Sequence, residues 1–306
     1  MKKKKAIIGY KAFGKDMKCQ GMQYEIGKTY KMEDKPRICQ NGYHLYTNPL
    51  DVLNHYDLTD SNFAQVEATG ETDKQQSKNQ DTKICTNELT ISAKLDLTTF
   101  IKASVEFLLK MSKKTVSGDS GKLASSGNYS KLASSGHYSK LASSGNYSQL
   151  ASSGNSSQLA SSGNYSQLAS SGNSSQLASS GDYSQLASSG DSSKLASSGD
   201  SSKLASSGDS SQLASSGNYS KLASSGNYSQ LASSGDSSKL ASSGKNNILA
   251  GIGYNNTAKG IIGNWLVLAE FDSNSVPVCV KAEKVDGKTI KGDTYYKLEN
   301  GKFTEA

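Results

Sequence analysis

The chain has 306 residues, a formal net charge of +7 and a mean hydropathy of −0.57; this is length for two or three structural units, and no stretch is apolar enough to span a bilayer. The positive charge sits at the front, with a net +5 in residues 1–117 and +1 in each of 118–244 and 245–306, so the middle of the chain is a poor phosphate binder and, lacking a dense acidic array, a poor mimic of DNA. Four cysteines (Cys19, Cys39, Cys85, Cys279) show neither metal-ligand spacing nor a disulfide pattern, which argues against a zinc module or a disulfide-stapled scaffold.

The run Lys2, Lys3, Lys4, Lys5 reads as a solvated arm. The apolar stretch behind it, Ala6 to Tyr10, ends at Lys11 and is too short for a secretory h-region. Reduced thiols and repeated Asn-Tyr-Ser and Asn-Ser-Ser acceptor triplets favour a bacterial host cytoplasm over a glycosylating route, with a virion as the other setting.

Residues 1–96 predict a small α/β head. Strand-like runs fall at Ala6–Phe13, Met22–Met32, Arg37–Thr47, Asn62–Thr69 and Lys83–Leu95, with a short helix at Pro49–Tyr56. Residues 97–117 predict an amphipathic capping helix and linker. Asp96 or Thr98 is its N-cap, Phe100, Ile101, Val105, Leu108, Leu109 and Met111 form its apolar face, and its expected place is over the first coil of the repeats that begin at residue 118.

Residues 118–253 are a nine-residue repeat, Lys/Gln-Leu-Ala-Ser-Ser-Gly-Asn/Asp-Tyr/Ser-Ser, with leucine returning every nine residues from Leu123 to Leu240 and again at Leu249. A period this strict means stacked identical units. Serine, glycine and asparagine disfavour a helix, and a flexible linker does not keep an aliphatic residue in phase with a glycine. Each unit is therefore a short strand with leucine inward and Lys/Gln and Ala outward. The turn at Ser-Gly-Asn/Asp would take its positive φ from glycine, with Asn/Asp tolerating it.

Tyr129, Tyr147, Tyr165, Tyr183 and Tyr219 lie multiples of eighteen apart. Two units per coil would put them in one column; three would scatter them. The expected fold is thus mainly β: a two-sided nonapeptide-repeat β-solenoid of about 18 residues per coil, between the α/β head and a β-rich C-terminal cap at 254–306. At about 4.8 Å per coil, seven coils give a rod of roughly 34 Å. Asp182 would stack under Asp200 and Asp191 under Asp209, with Lys194 and Lys203 placed to relieve them. In the cap, strands are expected near Trp265–Phe271, Val276–Val285 and Thr294–Leu298, with turns at Asp286-Gly287 and Asn300-Gly301.

Two resemblances add to this reading. Through the pieces Gly21 to Tyr30 and Cys39 to His44, the serine-rich nonapeptides and the closing Val285-Asp286-Gly287 and Tyr295 to Leu298 segments, the chain resembles uncharacterised proteins of phages and bacterial mobile elements. That resemblance implies such an origin. In the head, Gly42-Tyr43-His44-Leu45-Tyr46-Thr47-Asn48-Pro49 and Asn87-Glu88-Leu89-Thr90-Ile91 are similar to the tyrosine-bearing and glutamate-bearing strands of ADP-ribosyltransferases. The likeness implies an aromatic at Tyr43 or His44 stacking on nicotinamide and Glu88 orienting the ribose or acceptor. The family's first motif, a His or Arg on an early strand, has no counterpart near Tyr10–Phe13.

No other constellation gathers. His44 and His55 with Asp51 and Asp57 lack a third spaced metal ligand, Cys39 and His44 are a lone thiol–imidazole pairing, and one glycine per unit does not match calcium-binding nonapeptides. Residues 118–244 hold no threonine, unlike flat ice-binding faces. No cofactor or metal is expected. The expected function is that of a non-enzymatic phage or mobile-element accessory protein binding a host or viral macromolecule, as a counter-defence factor, with Tyr129, Tyr147, Tyr165, Tyr183 and Tyr219 as the binding face. Self-association through the solenoid is a variant. The alternatives are an ADP-ribosyltransferase-like head binding NAD or a related nucleotide through Tyr43, His44 and Glu88, and a virion fibre or spike module. Neither a membrane nor, for the solenoid, nucleic acid is an expected partner.

Overall fold

The computed structural model describes residues 6–14, 16–74, 81–112 and 114–306; the Lys2 to Lys5 arm lies outside the described residues. The chain forms two compact units, Met1–Phe107 and Leu108–Ala306.

The first unit is built on seven antiparallel strands. Along the chain the elements are β1 (Ile7–Phe13), a two-residue ribbon of β2 (Lys18–Cys19) and β3 (Met22–Gln23), β4 (Thr29–Lys31), β5 (Tyr43–Tyr46), a 3-10 turn at Pro49–Asn54, β6 (Asn62–Ala68), β7 (Thr72–Lys74), β8 (Lys83–Thr86), β9 (Glu88–Leu95) and α1 (Leu97–Met111). The sheet order is β4-β9-β6-β1-β5-β8-β7. It is strongly curved, because edge strand β4 comes back to β5: Tyr30 and Tyr43 rings lie 6.3 Å apart and the Tyr43 hydroxyl donates to the Lys31 carbonyl at 3.3 Å. Phe13, Tyr24, Tyr30, Leu45, Val66, Leu89 and Ile91 fill the hollow. α1 starts where the Asp96 carboxylate accepts the Thr99 N–H at 2.7 Å, an N-cap that satisfies an orphan amide and holds the acid below its usual range. Phe100 on α1 stacks on Phe63 of β6 at 4.3 Å, so this part of the helix's apolar face packs on the head's own sheet.

Three expected strands prove shorter, each for a local reason. Met22–Met32 is split at Gly27 (φ +83°), and Arg37–Thr47 is reduced to Tyr43–Tyr46 by Cys39 (φ +61°) and Gly42 (φ +102°). Lys83–Leu95 divides at Asn87, whose side-chain oxygen accepts the Glu71 N–H at 2.8 Å. The expected helix at Pro49–Tyr56 is the tighter 3-10 form, capped by Asn48.

The second unit is the two-sided solenoid. Its strands, such as Gln149–Ser152 and Gln158–Ser161, alternate between an eleven-stranded and a ten-stranded sheet. The repeat strands from Lys122–Ser125 to Lys239–Ser242 each pair in parallel with the one eighteen residues on, Leu150 opposite Leu168 and Leu159 opposite Leu177, and Ile248–Gly251 pairs seventeen residues on, Leu249 opposite Leu266. The leucines stack into one core that runs from Leu132 through Leu249 to Leu266, Leu268, Val285, Tyr296 and Leu298 of the cap. Alanines point outward and are exposed in the ten-stranded sheet, whereas Ala133, Ala151, Ala169 and Ala187 of the other sheet are buried. From Ser125 to Ser184 the serines flanking each leucine are satisfied inside the turn, whereas the buried Oγ atoms of Ser188, Ser197, Ser206, Ser224 and Ser233 further along have no hydrogen-bond partner among the described residues. Ser134 Oγ donates to Ser139 Oγ at 2.6 Å, Ser139 Oγ to the Gly136 carbonyl at 2.8 Å, and the Gly136 N–H returns to Ser134 Oγ at 3.2 Å.

The turn chemistry differs from the sequence expectation. The repeat glycines have no positive φ; the left-handed residue is the Tyr/Ser two places later, as at Tyr147 (φ +57°) and Ser156 (φ +55°). There the N–H reaches the next coil, Tyr147 N–H donating to the Asn164 carbonyl at 2.9 Å. Glycine is required instead by close stacking: a Cβ on Gly163 would lie 2.2 Å from the Gly145 carbonyl oxygen. The Asn/Asp position also has a defined task. Its side-chain oxygen accepts the N–H of the same position one coil on, from Asn146 Oδ1 to Asn164 and from Asn164 Oδ1 to Asp182, each 2.9 Å. Only an acceptor is needed, so Asn and Asp interchange, and His137 serves through Nδ1 to Asn155 N–H at 3.2 Å. The stacked acids are relieved the same way, Asp182 Oδ1 accepting the Asp200 N–H at 2.9 Å.

This ladder carries a direct prediction. Asn164→Ala leaves the half-buried Asp182 N–H without its acceptor and costs about 1 kcal/mol, while Asn164→Asp changes stability by only a few tenths. Chemical denaturation midpoints of the two variants check it, and equal losses would remove the ladder's role.

The stack ends by reversing direction. Thr257–Lys259 and Trp265–Phe271 are the last parallel strands; Tyr296–Glu299 with Lys302–Glu305, and Pro277–Lys284, then add antiparallel. Asn300 and Gly301 both take positive φ, as a tight hairpin turn requires. The outermost strands carry Lys302 and Glu305 on one side and Pro277, Lys281, Glu283 and Lys284 on the other, which blunts the free edges. Lys245 occupies the Asn/Asp position in the coil where the ladder stops, since the following position, Gly263, donates to Val285 instead.

Candidate functional site

Two places gather more chemistry than the fold requires, one in each unit. In the solenoid, Tyr129, Tyr147, Tyr165 and Tyr183 sit in the turns that lead from the ten-stranded to the eleven-stranded sheet. The column therefore runs along an edge of the rod, where the sequence suggested a face; the left-handed turn residue has to stand at a corner. The four rings stack at 5.1, 4.9 and 4.9 Å with interplanar angles of 10° or less. The coil spacing imposes this nearly parallel geometry. Burial between its neighbours raises the Tyr165 hydroxyl pKa, with Tyr147, Tyr183 and Asp182 adding to it. Ser201 interrupts the column, and Tyr219 beyond it is 63 % exposed against 39 % for Tyr147. Tyr138 and Tyr228 stand at the opposite edge, separated by four serine positions.

Along the ten-stranded sheet the short outward side chains leave a shallow trough lined by Ala178, Ala196, Ala214, Ala232 and adjoining serines. It offers hydroxyls but no titratable group.

The head holds a polar cavity of about 690 Å³. Lys11 reaches it from β1, His44, Tyr43 and Tyr46 from β5, Lys83 from β8, and Lys18, Cys19, Cys39, His55 and Tyr56 from the ribbon and connecting segments. Lys11 is 4 % exposed; its ammonium donates to the His44 carbonyl at 3.2 Å and lies 5.5 Å from the Phe13 ring centre and 5.9 Å from that of Tyr24. Burial lowers its pKa, partly opposed by the Cys19 thiol. Cys19 Sγ meets the Tyr56 hydroxyl at 3.4 Å, Cys39 Sγ lies 3.8 Å from Lys83 Nζ, and His55 Nε2 is 2.6 Å from Asp81 Oδ2. Burial raises the Tyr46 and Tyr56 hydroxyl pKa values well above the ordinary phenol range.

His44 is fixed as a neutral ring. Its Nε2 accepts the Cys39 backbone N–H at 3.2 Å, and burial, with Lys83, Lys11 and His55 adding, pushes its pKa down to about 4. With that nitrogen engaged by an amide, His44 is not arranged as a base for the Cys39 thiol. Because its folded pKa lies below the unfolded value, the unfolded state takes up the proton first, and stability falls as pH drops from about 6.5 towards 4. Screening at this half-buried ring limits the effect to about 1–2 kcal/mol. His44→Gln should flatten that part of the stability–pH curve, measured by urea midpoints; an unchanged slope would contradict the assignment.

Of the head residues singled out from sequence, Tyr43 and His44 meet in this cavity. Glu88 does not line it and pairs with Lys31 at 3.1 Å. Lys11 and Lys83 were missed; the available signal was a lysine at the apolar phase of β1, between Gly9 and Phe13. Among the described residues no group of three His, Cys, Asp or Glu side chains could hold a metal ion, and the four cysteines are unpaired by disulfides. No helix among them is long and apolar enough to cross a membrane.

No curated protein and no solved structure matches the chain. Residues 7–103, the head sheet and the start of α1, match the family model described as a domain of unknown function, DUF7666, and the nonapeptide repeats lie outside that match.

Proposed function

We propose that this chain is a non-enzymatic accessory protein that holds a host or viral protein along the tyrosine edge of its solenoid, in the cytoplasm of a bacterial cell, as a counter-defence factor. The observation that supports it is the stack Tyr129–Tyr147–Tyr165–Tyr183, with rings 4.9 to 5.1 Å apart and partly exposed. Rings already fixed by coil stacking lose little freedom on binding, and tyrosine offers an apolar body with a polar tip. The near-neutral repeat favours a protein surface over nucleic acid.

The test changes Tyr147, Tyr165 and Tyr183 together to Ser, which other coils carry at this position, so the coil geometry should survive. Crosslinking and mass spectrometry in host cells, comparing this variant with the parent chain, should show the loss of a specific crosslinked protein while circular dichroism is unchanged. Identical crosslinks from both would remove the tyrosine edge as the binding surface.

A further inference from the structure

The head cavity is charged in a one-sided way. Three lysines, Lys11, Lys18 and Lys83, line it and no Asp or Glu does. The nearby carboxylates are turned to other tasks: Asp81 holds His55, and Asp16 holds Lys18 from outside the lining at 3.0 Å. Among the described residues, Lys11 has no carboxylate partner; the His44 carbonyl, two ring faces and the Cys19 thiol are what its ammonium meets. Burying an ammonium without a counter-charge is costly, and nothing in the fold of β1 demands a lysine where an apolar side chain would pack beside Phe13 and Tyr24. The cavity's volume, about 690 Å³, lies in the range of small-molecule sites, and its walls offer the Tyr43 and Tyr46 side chains beside the polar groups.

We propose that this cavity binds a small molecule bearing a phosphate group, whose dianion is held by Lys11 and Lys83 with Lys18 at the mouth. Compact ammonium groups serve a phosphate as point charges, where a planar carboxylate is better met by an arginine fork, and no arginine lines the cavity. The bound dianion supplies the counter-charge that Lys11 lacks, so ligand and buried ammonium stabilise one another. His44, neutral and anchored to the Cys39 amide, adds no competing positive charge and shapes the wall. The inference is independent of the tyrosine edge.

Calorimetric titration of the full chain with AMP, ribose 5-phosphate, inorganic phosphate and adenosine tests it. At least one of the three phosphate-bearing probes should bind, and adenosine at least tenfold more weakly than AMP or not at all. A preference for AMP over ribose 5-phosphate assigns a ring-bearing ligand, and equal binding of both and of inorganic phosphate assigns the phosphate alone; either supports the proposal. Lys83→Gln and Lys11→Gln should each weaken the bound probe at least tenfold, while Lys102→Gln on α1, outside the cavity, should leave it unchanged. If Lys11→Gln fails to fold, Lys83→Gln and Lys18→Gln decide. Alkylation of the exposed Cys39 thiol, beside Lys83, should slow on adding the bound probe. Absence of heat with all three phosphate-bearing probes, binding of adenosine equal to AMP, or binding that the cavity variants leave unaltered would overturn the proposal.

Discussion

Replacing Gly163 by alanine lowers stability by about 3 kcal/mol or more, whereas the same change at Gly127 is neutral or slightly stabilising. The difference lies in what stands behind each glycine. A Cβ on Gly163 would be 2.2 Å from the Gly145 carbonyl oxygen and 2.5 Å from its carbon, and these are backbone atoms fixed by the ladder on both sides. Overpacking against side chains costs about 1–3 kcal/mol; here the coil spacing itself must open, so the loss lies at or above that range. Gly127 belongs to the first coil of its column and has no coil before it, and its nearest neighbour would be Ser130 Oγ at 3.8 Å. Removing a glycine there restricts mainly the unfolded chain, worth a gain of about 0.4–1 kcal/mol. Thermal and denaturant unfolding of the two variants checks this directly. A similar loss at both positions would mean that glycine acts through backbone flexibility and not through close approach.

The second large effect is expected at the leucine column. Leu168 is fully buried and is the one large apolar side chain of its unit, with Leu150 and Leu186 as its partners in the adjoining coils. Leu168→Ala leaves a void between them that the stacked backbone cannot close, so a loss of about 3 kcal/mol is expected, within the usual 2–5 kcal/mol for buried leucine truncation. Leu123, only partly buried in the first coil, should lose about 1 kcal/mol or less in the same exchange. Because each coil is coupled chiefly to its neighbours, hydrogen exchange on Leu168→Ala should show protection lost first around Gln149–Ser152, Gln167–Ser170 and Gln185–Ser188. Uniform loss along the whole rod would contradict this local account.

These two columns also show how much of the molecule can be read from its sequence. The leucine period gave the stacked strands, and the eighteen-residue spacing of Tyr147, Tyr165 and Tyr183 gave the two-sided coil, because identical units stack in register and both facts are one-dimensional. The task of glycine was not legible in the same way. Positive φ and close approach both call for a residue without a Cβ, and the alternative partner, a carbonyl in the previous coil, is seen only once the coils are laid on one another. In the head, β1 and β6 followed from patterning within a residue of their ends. The cavity did not, since it joins Lys11, Cys19, His44 and Lys83, which are spaced with no common period.

The sequence by itself therefore determined the solenoid, its coil length, its leucine core and the stacking of its tyrosines, for strict periodicity leaves the chain one way to bury its leucines. The tertiary structure decided the rest: that the tyrosines run along an edge, that a side-chain acceptor ladder relieves the stacked aspartates, and that a buried lysine stands in a polar hollow of the head. Each of these depends on which backbone atoms and charges meet across turns and between strands distant in sequence, a matter of distances that residue order alone does not contain.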